Sequence, residues 1–458
     1  MKRLLVLFLV LFLCTPAVAA DWTDNLEMGG DIRMRGYKLN NFFDFNDDGD
    51  IDNWEVFRLR TRLYTKANFG DNISGFVRIA NQTYGENIGV PETVQKEADF
   101  PVDFDTYEAD NKSNKVFIDN AYITVKDFFK TGTTLSVGRM NLMYGSGFVL
   151  FDGQSQMAST SLYFDGVKLS IPLGKNAILD GLYFKDQENM RWNTVDDDVT
   201  LAGAYLTATC PYIGGKQEVY ALNKYDENLD KNIWMAGIRL SNKYENGLDY
   251  SLEGAYQFGE FNEDIDQEAL GGKFDGGFTF KDAPMIPRLF VGYAYMQGDD
   301  PNTDEQERWD HFYGGWPQFG DLLAWKFVST SYNSSLGGYD SNWREQSSTV
   351  EEAVFSNLNI LSAGIGCNLT KALSAKFTYS MLTFDEPALD SQGLKKDDDF
   401  GDYFQLQAKY RYSKNLSFSM YAALIDPGDA FVVNDTGDWR SVGDDEAYEF
   451  FWEANLSF

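Results

Sequence analysis

Strict two-residue alternation is the feature that most constrains this chain. In "VFRLRTRLYTKA" (residues 56–67), Phe57, Leu59, Thr61, Leu63, Thr65 and Ala67 share one parity, and Arg58, Arg60, Arg62, Tyr64 and Lys66 share the other. Successive side chains of a strand point to opposite faces, so the segment reads as a strand with one apolar and one basic face. The tight-turn residues Gly70, Asp71 and Asn72 follow. Alternation then resumes, with Ile73, Val77 and Ile79 set against Ser74, Arg78 and Gln82. Leu248–Phe258, Tyr403–Tyr412 and Leu416–Leu424 repeat the pattern.

The connections alternate in length. Gly70–Asn72, Gly174–Asn176, Tyr244–Gly247, Thr370–Ala372 and Ser413–Asn415 are short. Asn40–Glu55, Gly85–Asn114, Asp299–Ser356, Thr383–Gly401 and Asp426–Glu446 are long and polar. Short turns on one side and long loops on the other predict an all-β, transmembrane, antiparallel up-and-down β-barrel, with short periplasmic turns and long extracellular loops. The segments count to 18 strands, with 16 as the fallback. The last segment, "YEFFWEANLSF", places Phe450, Trp452, Ala454, Leu456 and Phe458 on one face. A terminal strand of this kind resembles the signal read by the bacterial barrel-assembly machinery, which is the expected assembly partner. A soluble sandwich or propeller also alternates. The asymmetry of the connections, the load of Tyr, Phe and Trp, and the lack of a blade repeat argue against it.

Export is expected from the start of the chain. Lys2 and Arg3 precede an apolar run, Leu4–Leu13, too short to span a bilayer, and small residues Ala17–Ala20 follow. Residues 1–20 therefore read as a signal peptide cleaved before Asp21, and residues 21–458 as the outer-membrane barrel. Loss of Lys2 and Arg3 lowers the formal net charge from −31 to −33. So acidic a chain is not expected to bind nucleic acid; its expected surroundings are outer-membrane lipid and lipopolysaccharide. Cys210 and Cys367 are the cysteines left after cleavage. They fall near the ends of the eighth and fourteenth strands, too far apart around the wall to pair.

If the apolar parity faces lipid, the lumen is basic. The first three strands send Arg33, Arg35, Arg58, Arg60, Arg62, Lys66 and Arg78 inward, and later strands add Lys168, Arg239, Lys376, Lys409 and Arg411. Inward acids are Glu27, Asp31, Asp249, Glu253, Glu449 and Glu453. Two readings stay open and are compatible. Glu449 and Glu453 could neutralise Arg33 and Arg35 across the closing seam, or the arginines could line a path for anions.

"FIDNAYITVKDFFKTGTTLSVGRMNLMYGSG" (Phe117–Gly147) resembles the alginate-export family of outer-membrane porins, through Val137, Gly138, Arg139, Tyr144 and Gly145. Asp299–Leu323 looks like a long loop of that family, and the arginine-rich "FRLRTRLY" fits it as well. The resemblance implies an 18-stranded barrel passing an anionic solute or polysaccharide, such as alginate, through an arginine-lined, anion-selective pore. It places Arg139 in the lining. Strict parity sends Arg139 to the lipid side with Leu135 and Val137, so a bulge at Gly138 is expected to turn it inward. The acidic loops would repel a polyanion at the mouth unless cations screened them, which leaves a general anion porin beside the alginate exporter.

One loop carries a metal pattern. In "DFNDDGDIDNWE", Asp44, Asn46, Asp48, Asp50, Asp52 and Glu55 occupy positions 1, 3, 5, 7, 9 and 12 of a calcium loop, with Gly49 at the sharp turn. Hard oxygen ligands at alternate positions, closed by a bidentate Glu, suit Ca2+. The flanks read as strands, so a structural calcium that pins an external loop is expected, with no helix-opening role.

Two other function classes remain. A barrel plugged by its own loops could bind at the surface as an adhesin does, and "GGWPQFGDLLAWKF" (Gly314–Phe327) is apolar enough to pack inside. An outer-membrane hydrolase needs a positioned base. His311 is the lone histidine, and spacing pairs it with no Ser or Asp, so no enzyme is expected.

Overall fold

In this computed structural model the described residues are 25–42, 45, 47, 53–84, 116–151, 164–187, 199–210, 214–227, 230–300, 302–314, 318–332, 356–387, 397–431 and 443–458. The segment read as a signal peptide, residues 1–20, and most of the calcium-type loop lie outside them.

The chain forms 18 antiparallel strands. The first six are β1 (Leu26–Asn40), β2 (Trp54–Phe69), β3 (Ile73–Tyr84), β4 (Val116–Phe128), β5 (Thr133–Met140) and β6 (Phe164–Pro172). Next come β7 (Ala177–Gln187), β8 (Val199–Ala208), β9 (Lys216–Asp226), β10 (Lys231–Lys243), β11 (Leu248–Asn262) and β12 (Ile265–Thr279). The last six are β13 (Arg288–Met296), β14 (Leu358–Asn368), β15 (Leu373–Thr383), β16 (Asp399–Arg411), β17 (Leu416–Pro427) and β18 (Ala447–Ser457). Each strand pairs with its neighbour in sequence, and β1 also pairs with β18, so the sheet closes and leaves no open edge. Closure matters because an unpaired backbone amide in lipid costs several kcal/mol, on the order of the transfer cost of a bare amide.

Period-two alternation sorts side chains between the two faces. Phe57, Leu59, Leu63, Ile73, Val77 and Ile79 are exposed on the outer wall, where lipid covers them. Arg58, Arg60, Ala80 and Gln82 are buried on the inner face. A register shift between Arg78 and Ile79 leaves Asp119 of β4 as an extra residue, so Asp119 and Asn120 are both buried. That bulge turns Asp119 toward Arg78.

The apolar core lies inside the barrel, made by loops folded into the lumen. Residues 141–151, after β5, bring in Leu142, Phe148, Val149 and Leu150. The connection after β13 brings in Trp309, Phe312 and Tyr313, then a helix, α1 (Asp321–Tyr332), with Leu322 and Leu323 fully buried. The two loops meet: Trp309 stacks on Phe148 with ring centroids 5.5 Å apart, and Leu150 forms an isolated bridge with Tyr313. Trp309 reaches the wall at Gly271, where a Cβ would stand 2.7 Å from the indole ring. A larger residue there would push the loop away.

Candidate functional site: the lumen

The inner wall of β1 and β2 concentrates positive charge. In the pairing register Arg33 faces Arg60 and Arg35 faces Arg58, so four guanidiniums form a block of two rows. Like charges directly opposite destabilise a ladder, and such a block needs nearby acids. Asp31 serves two arginines, accepting from Arg60 Nε at 3.0 Å and from Arg62 Nε at 2.7 Å. Glu453 of β18 accepts from Arg35 Nε at 2.6 Å and lies 3.9 Å from Arg33. Arg58 donates to Gln82 Oε1 at 3.0 Å. Arg78 is held by Asp119 at 2.5 Å and donates to Asn141 at 2.7 Å.

Glu453 therefore bridges the seam as expected, whereas Glu449 does something else. It lies buried against the start of α1, facing Asp321 and the Trp325 indole. Burial pushes the Asp321 carboxyl above its usual range, against the pull of Arg35, Arg58 and Arg33. Two carboxyl groups that face each other in a buried setting fit together when one proton lies between them. The Asp321 amide also donates to Tyr421 Oη at 3.1 Å.

At the opposite side of the lumen, Asp310 anchors the same loop. Its carboxylate is 2.8 Å from Lys231 Nζ and 3.2 Å from Lys224 Nζ. Its amide donates to Gln257 Oε1 at 2.9 Å. Burial opposes the charge, yet the two ammonium groups outweigh it and hold the Asp310 carboxyl well below its usual range. The loop thus crosses the barrel from β9–β11 to β16–β18, pinned at both ends by groups that sequence spacing does not connect. His311 flanks this anchor, and its Asp310 neighbour is committed to the two lysines.

Below the loop lies a chamber of about 990 Å³. Gln318, Phe319, Gly320 and Asp321 form its ceiling, and it reaches Thr279 and Asn368 at the short-turn end. Its cations are Arg35, Arg239, Lys273, Arg288, Lys376 and Lys409, set against Asp275, Asp321 and Glu453. Arg288 is paired with Asp249 at 2.5 Å and Asp275 at 2.7 Å. Lys273 donates to Gln318 at 2.6 Å and lies over the Phe319 ring, and Lys376 lies over Phe290. Neither lysine enters an ion pair among the described residues. Ser362, Thr378, Ser380, Gln405 and Gln407 add neutral hydrogen-bonding groups.

Arg139 is a correction. The ladder passes Gly138 in register on both sides, with Arg139 opposite Ala121 and Asp165. No inward turn occurs there; the bulge sits on the adjacent strand, at Asp119. Arg139 keeps the parity of exposed Val137 and stands on the outer face. It forms a two-point pair with Asp165, at 2.8 and 2.6 Å, and donates to the Ile118 carbonyl at 3.2 Å. Pairing removes the reason to turn inward: the charge is met where it stands.

Of the calcium pattern, Asp44, Asn46, Asp48, Asp50 and Asp52 lie outside the described residues. Glu55 points outward from β2 and lies 3.6 Å from Lys38. Among the described residues no group of three or more acids, histidines or cysteines is placed to hold a metal ion. The start of the segment is packed. Asp445 donates its amide to the Phe45 carbonyl at 2.9 Å, and the Asp47 amide donates to the Asp445 carboxylate at 3.0 Å.

Comparison with known proteins gives the context of this lumen. A family model described as "Alginate export" matches residues 24–440. The search of curated proteins found no match to the sequence. Among solved structures, the barrel is similar to OccAB4 of Acinetobacter baumannii, with 12% identity, 95% of this chain and 98% of that chain covered, and a TM-score of 0.56. OprD of Pseudomonas aeruginosa is similar at 12% identity, covering 94% of each chain, with a TM-score of 0.54. A BenF-like porin of Pseudomonas fluorescens is similar at 10% identity, covering 95% of this chain and 99% of that one, with a TM-score of 0.56. At such identities the likeness is one of fold, that of the bacterial outer-membrane porins.

Proposed function

This chain belongs to the alginate-export family, and from that premise we propose that its barrel is an anion-selective outer-membrane channel for hydroxylated, carboxylate-bearing solutes. The carrying observation is the sign of the lumen. A chain of formal charge −31 places paired rows of arginine on the inner wall of β1 and β2 and two lysines outside any ion pair, among the described residues, in the chamber below. Low-dielectric walls focus such a field, so it acts on a passing ion across the chamber. The serine, threonine and glutamine groups beside the lysines suit the hydroxyls of a sugar acid. A uronate, free or in a polymer such as alginate, fits this chemistry.

The test is the reversal potential of the refolded barrel in a planar bilayer under a salt gradient. Anion selectivity supports the reading, and cation selectivity would mean that the acidic mouth dominates. The inserted loop favours one second reading, a barrel closed by its own loops that binds ligands at the surface. Absence of conductance in every condition would select it.

We also propose a structural calcium at residues 44–55. Its support is the spacing of Asp44, Asn46, Asp48, Asp50, Asp52 and Glu55. The segment is continuous with Phe42 and Trp54, whose rings lie 6.1 and 6.3 Å from that of Trp325 on α1.

A further inference from the structure

The outer wall over β7–β10 carries a depression whose chemistry changes with depth. Leu182, Phe184, Leu201, Leu222, Ile233 and Met235 are buried inside, so their sequence neighbours face outward. The pairing registers arrange those neighbours in rows. The uppermost row, beside the long loops, is Lys185, Thr200, Tyr225 and Asn232. Beneath it run Tyr183, Ala202, Asn223 and Trp234. The third row is Gly181, Ala204, Ala221 and Ala236, and the fourth is Leu179, Leu206, Val219 and Ile238.

The second row makes a hollow, because two large aromatic side chains flank two small ones. Tyr183 and Trp234 are 57% and 42% exposed and stand three strand spacings apart, roughly 14 Å. The open hollow has a volume of about 540 Å³. Within it Asn223 Nδ2 donates to Asn232 Oδ1 at 2.7 Å, which orients both amides. The third row has no side chain larger than a methyl, so the hollow continues downward as a shallow trough. Large apolar residues close it below.

The rim carries the Lys185 ammonium, the Glu227 carboxylate, hydroxyls and an amide; aromatic faces and then a smooth apolar floor follow, which is the order of groups along a glycolipid. Aromatic rings at a membrane interface present an apolar face to sugar C–H groups and a polar tip to water. A lysine at this level meets a headgroup phosphate. A second barrel would need an apolar face through the whole height, and the two upper rows do not provide one. We propose that this depression seats one phosphorylated glycolipid of the outer leaflet. Its sugar headgroup lies between Tyr183 and Trp234, and an acyl chain lies along the Gly181–Ala204–Ala221–Ala236 floor.

The test uses the whole barrel in mild detergent, with purified lipopolysaccharide and phosphatidylethanolamine as competing probes and native mass spectrometry as the readout. Wild type is expected to retain one lipopolysaccharide. Ala221→Phe, which fills the floor, and Lys185→Glu should each weaken retention about tenfold or more. Both substitutions face outward, so the heat-modifiable gel mobility of the folded barrel should be unchanged. Equal retention by wild type and Ala221→Phe overturns the proposal, as does equal binding of phosphatidylethanolamine. A wild-type dimer that Ala221→Phe splits would assign the face to a second copy instead.

Discussion

Arg35 of β1 and Glu453 of β18 stand directly opposite one another where the barrel closes, and the guanidinium donates to the carboxylate at 2.6 Å. Arg35 also donates to Tyr37 Oη at 2.7 Å and lies 4.8 Å from the Phe451 ring centre. The pair therefore joins the first strand to the last within a buried setting. Glu453→Ala would leave Arg35 and Arg33 without their shared acid. Removing one partner of a buried pair costs about 3–5 kcal/mol. The variant should lose its folded gel mobility at markedly lower urea or temperature than wild type. An unchanged midpoint would show that the seam does not depend on this pair.

Selectivity should depend on the paired arginine rows. Replacing Arg58, Arg60 and Arg62 together by Gln is expected to move the reversal potential toward the non-selective value. Arg139→Gln should leave it unchanged, because that side chain stands outside with Asp165. The reverse result would place the anion path elsewhere.

The lumen loop should loosen when its lysine anchor is removed. Asp310→Ala separates the loop from Lys224 and Lys231 and leaves both ammonium groups buried, again at a cost of about 3–5 kcal/mol. Single-channel recordings should show higher conductance and more frequent large openings. Conductance equal to wild type would mean that the loop does not limit flow.

The two anchors should respond to pH with opposite sign. Burial raises the Asp321 carboxyl, so in the seated loop it binds its proton more tightly than in the unseated one. Both forms are protonated in acid. As pH rises through the ordinary carboxylate range and up to the raised value, the unseated loop ionises first, and seating weakens. The Asp310 carboxyl is lowered, so its contribution is full above the ordinary range and is lost only in strong acid. Above the ordinary carboxylate range only the Asp321 end should change. Conductance is expected to rise with pH in wild type, and Asp321→Asn, which keeps a donor toward Glu449, should flatten the profile. A profile that survives the substitution assigns the titration to another group.

Calcium should protect the external loop. With the ligand pattern at residues 44–55 intact, millimolar Ca2+ is expected to slow proteolysis of that segment, and Asp48→Asn with Glu55→Gln should remove the protection. Protection that persists in the double variant would refute a site built on these residues.

The alternation at residues 56–67 was enough to read strand, face and sign of charge together, because a period of two admits no other assignment of Arg58, Arg60 and Arg62 once lipid takes the apolar parity. The short turns supported the count of 18 over the fallback of 16 for a related reason, since each marks a place where the chain reverses within three or four residues. Arg139 shows the limit of reading residue by residue. Parity alone placed it outside, and the family resemblance drew it inward. Asp165, its partner, lies 26 residues later in the sequence.

What the sequence by itself determined is what repeats locally: the closed 18-stranded wall, its lipid and lumen faces, and the positive cast of the first three strands. Only the tertiary structure decided what fills the lumen. The apolar stretch near residues 314–327 announced that it could pack inside but not where. Its seat depends on Asp310 meeting Lys224 and Lys231, and on Asp321 meeting Glu449. These contacts join residues about 80 to 130 positions apart and follow no period, so no local pattern encodes them. The depression over β7–β10 was hidden for the same reason. Its small and aromatic residues are unremarkable along each strand and form a surface only when the registers set four strands side by side.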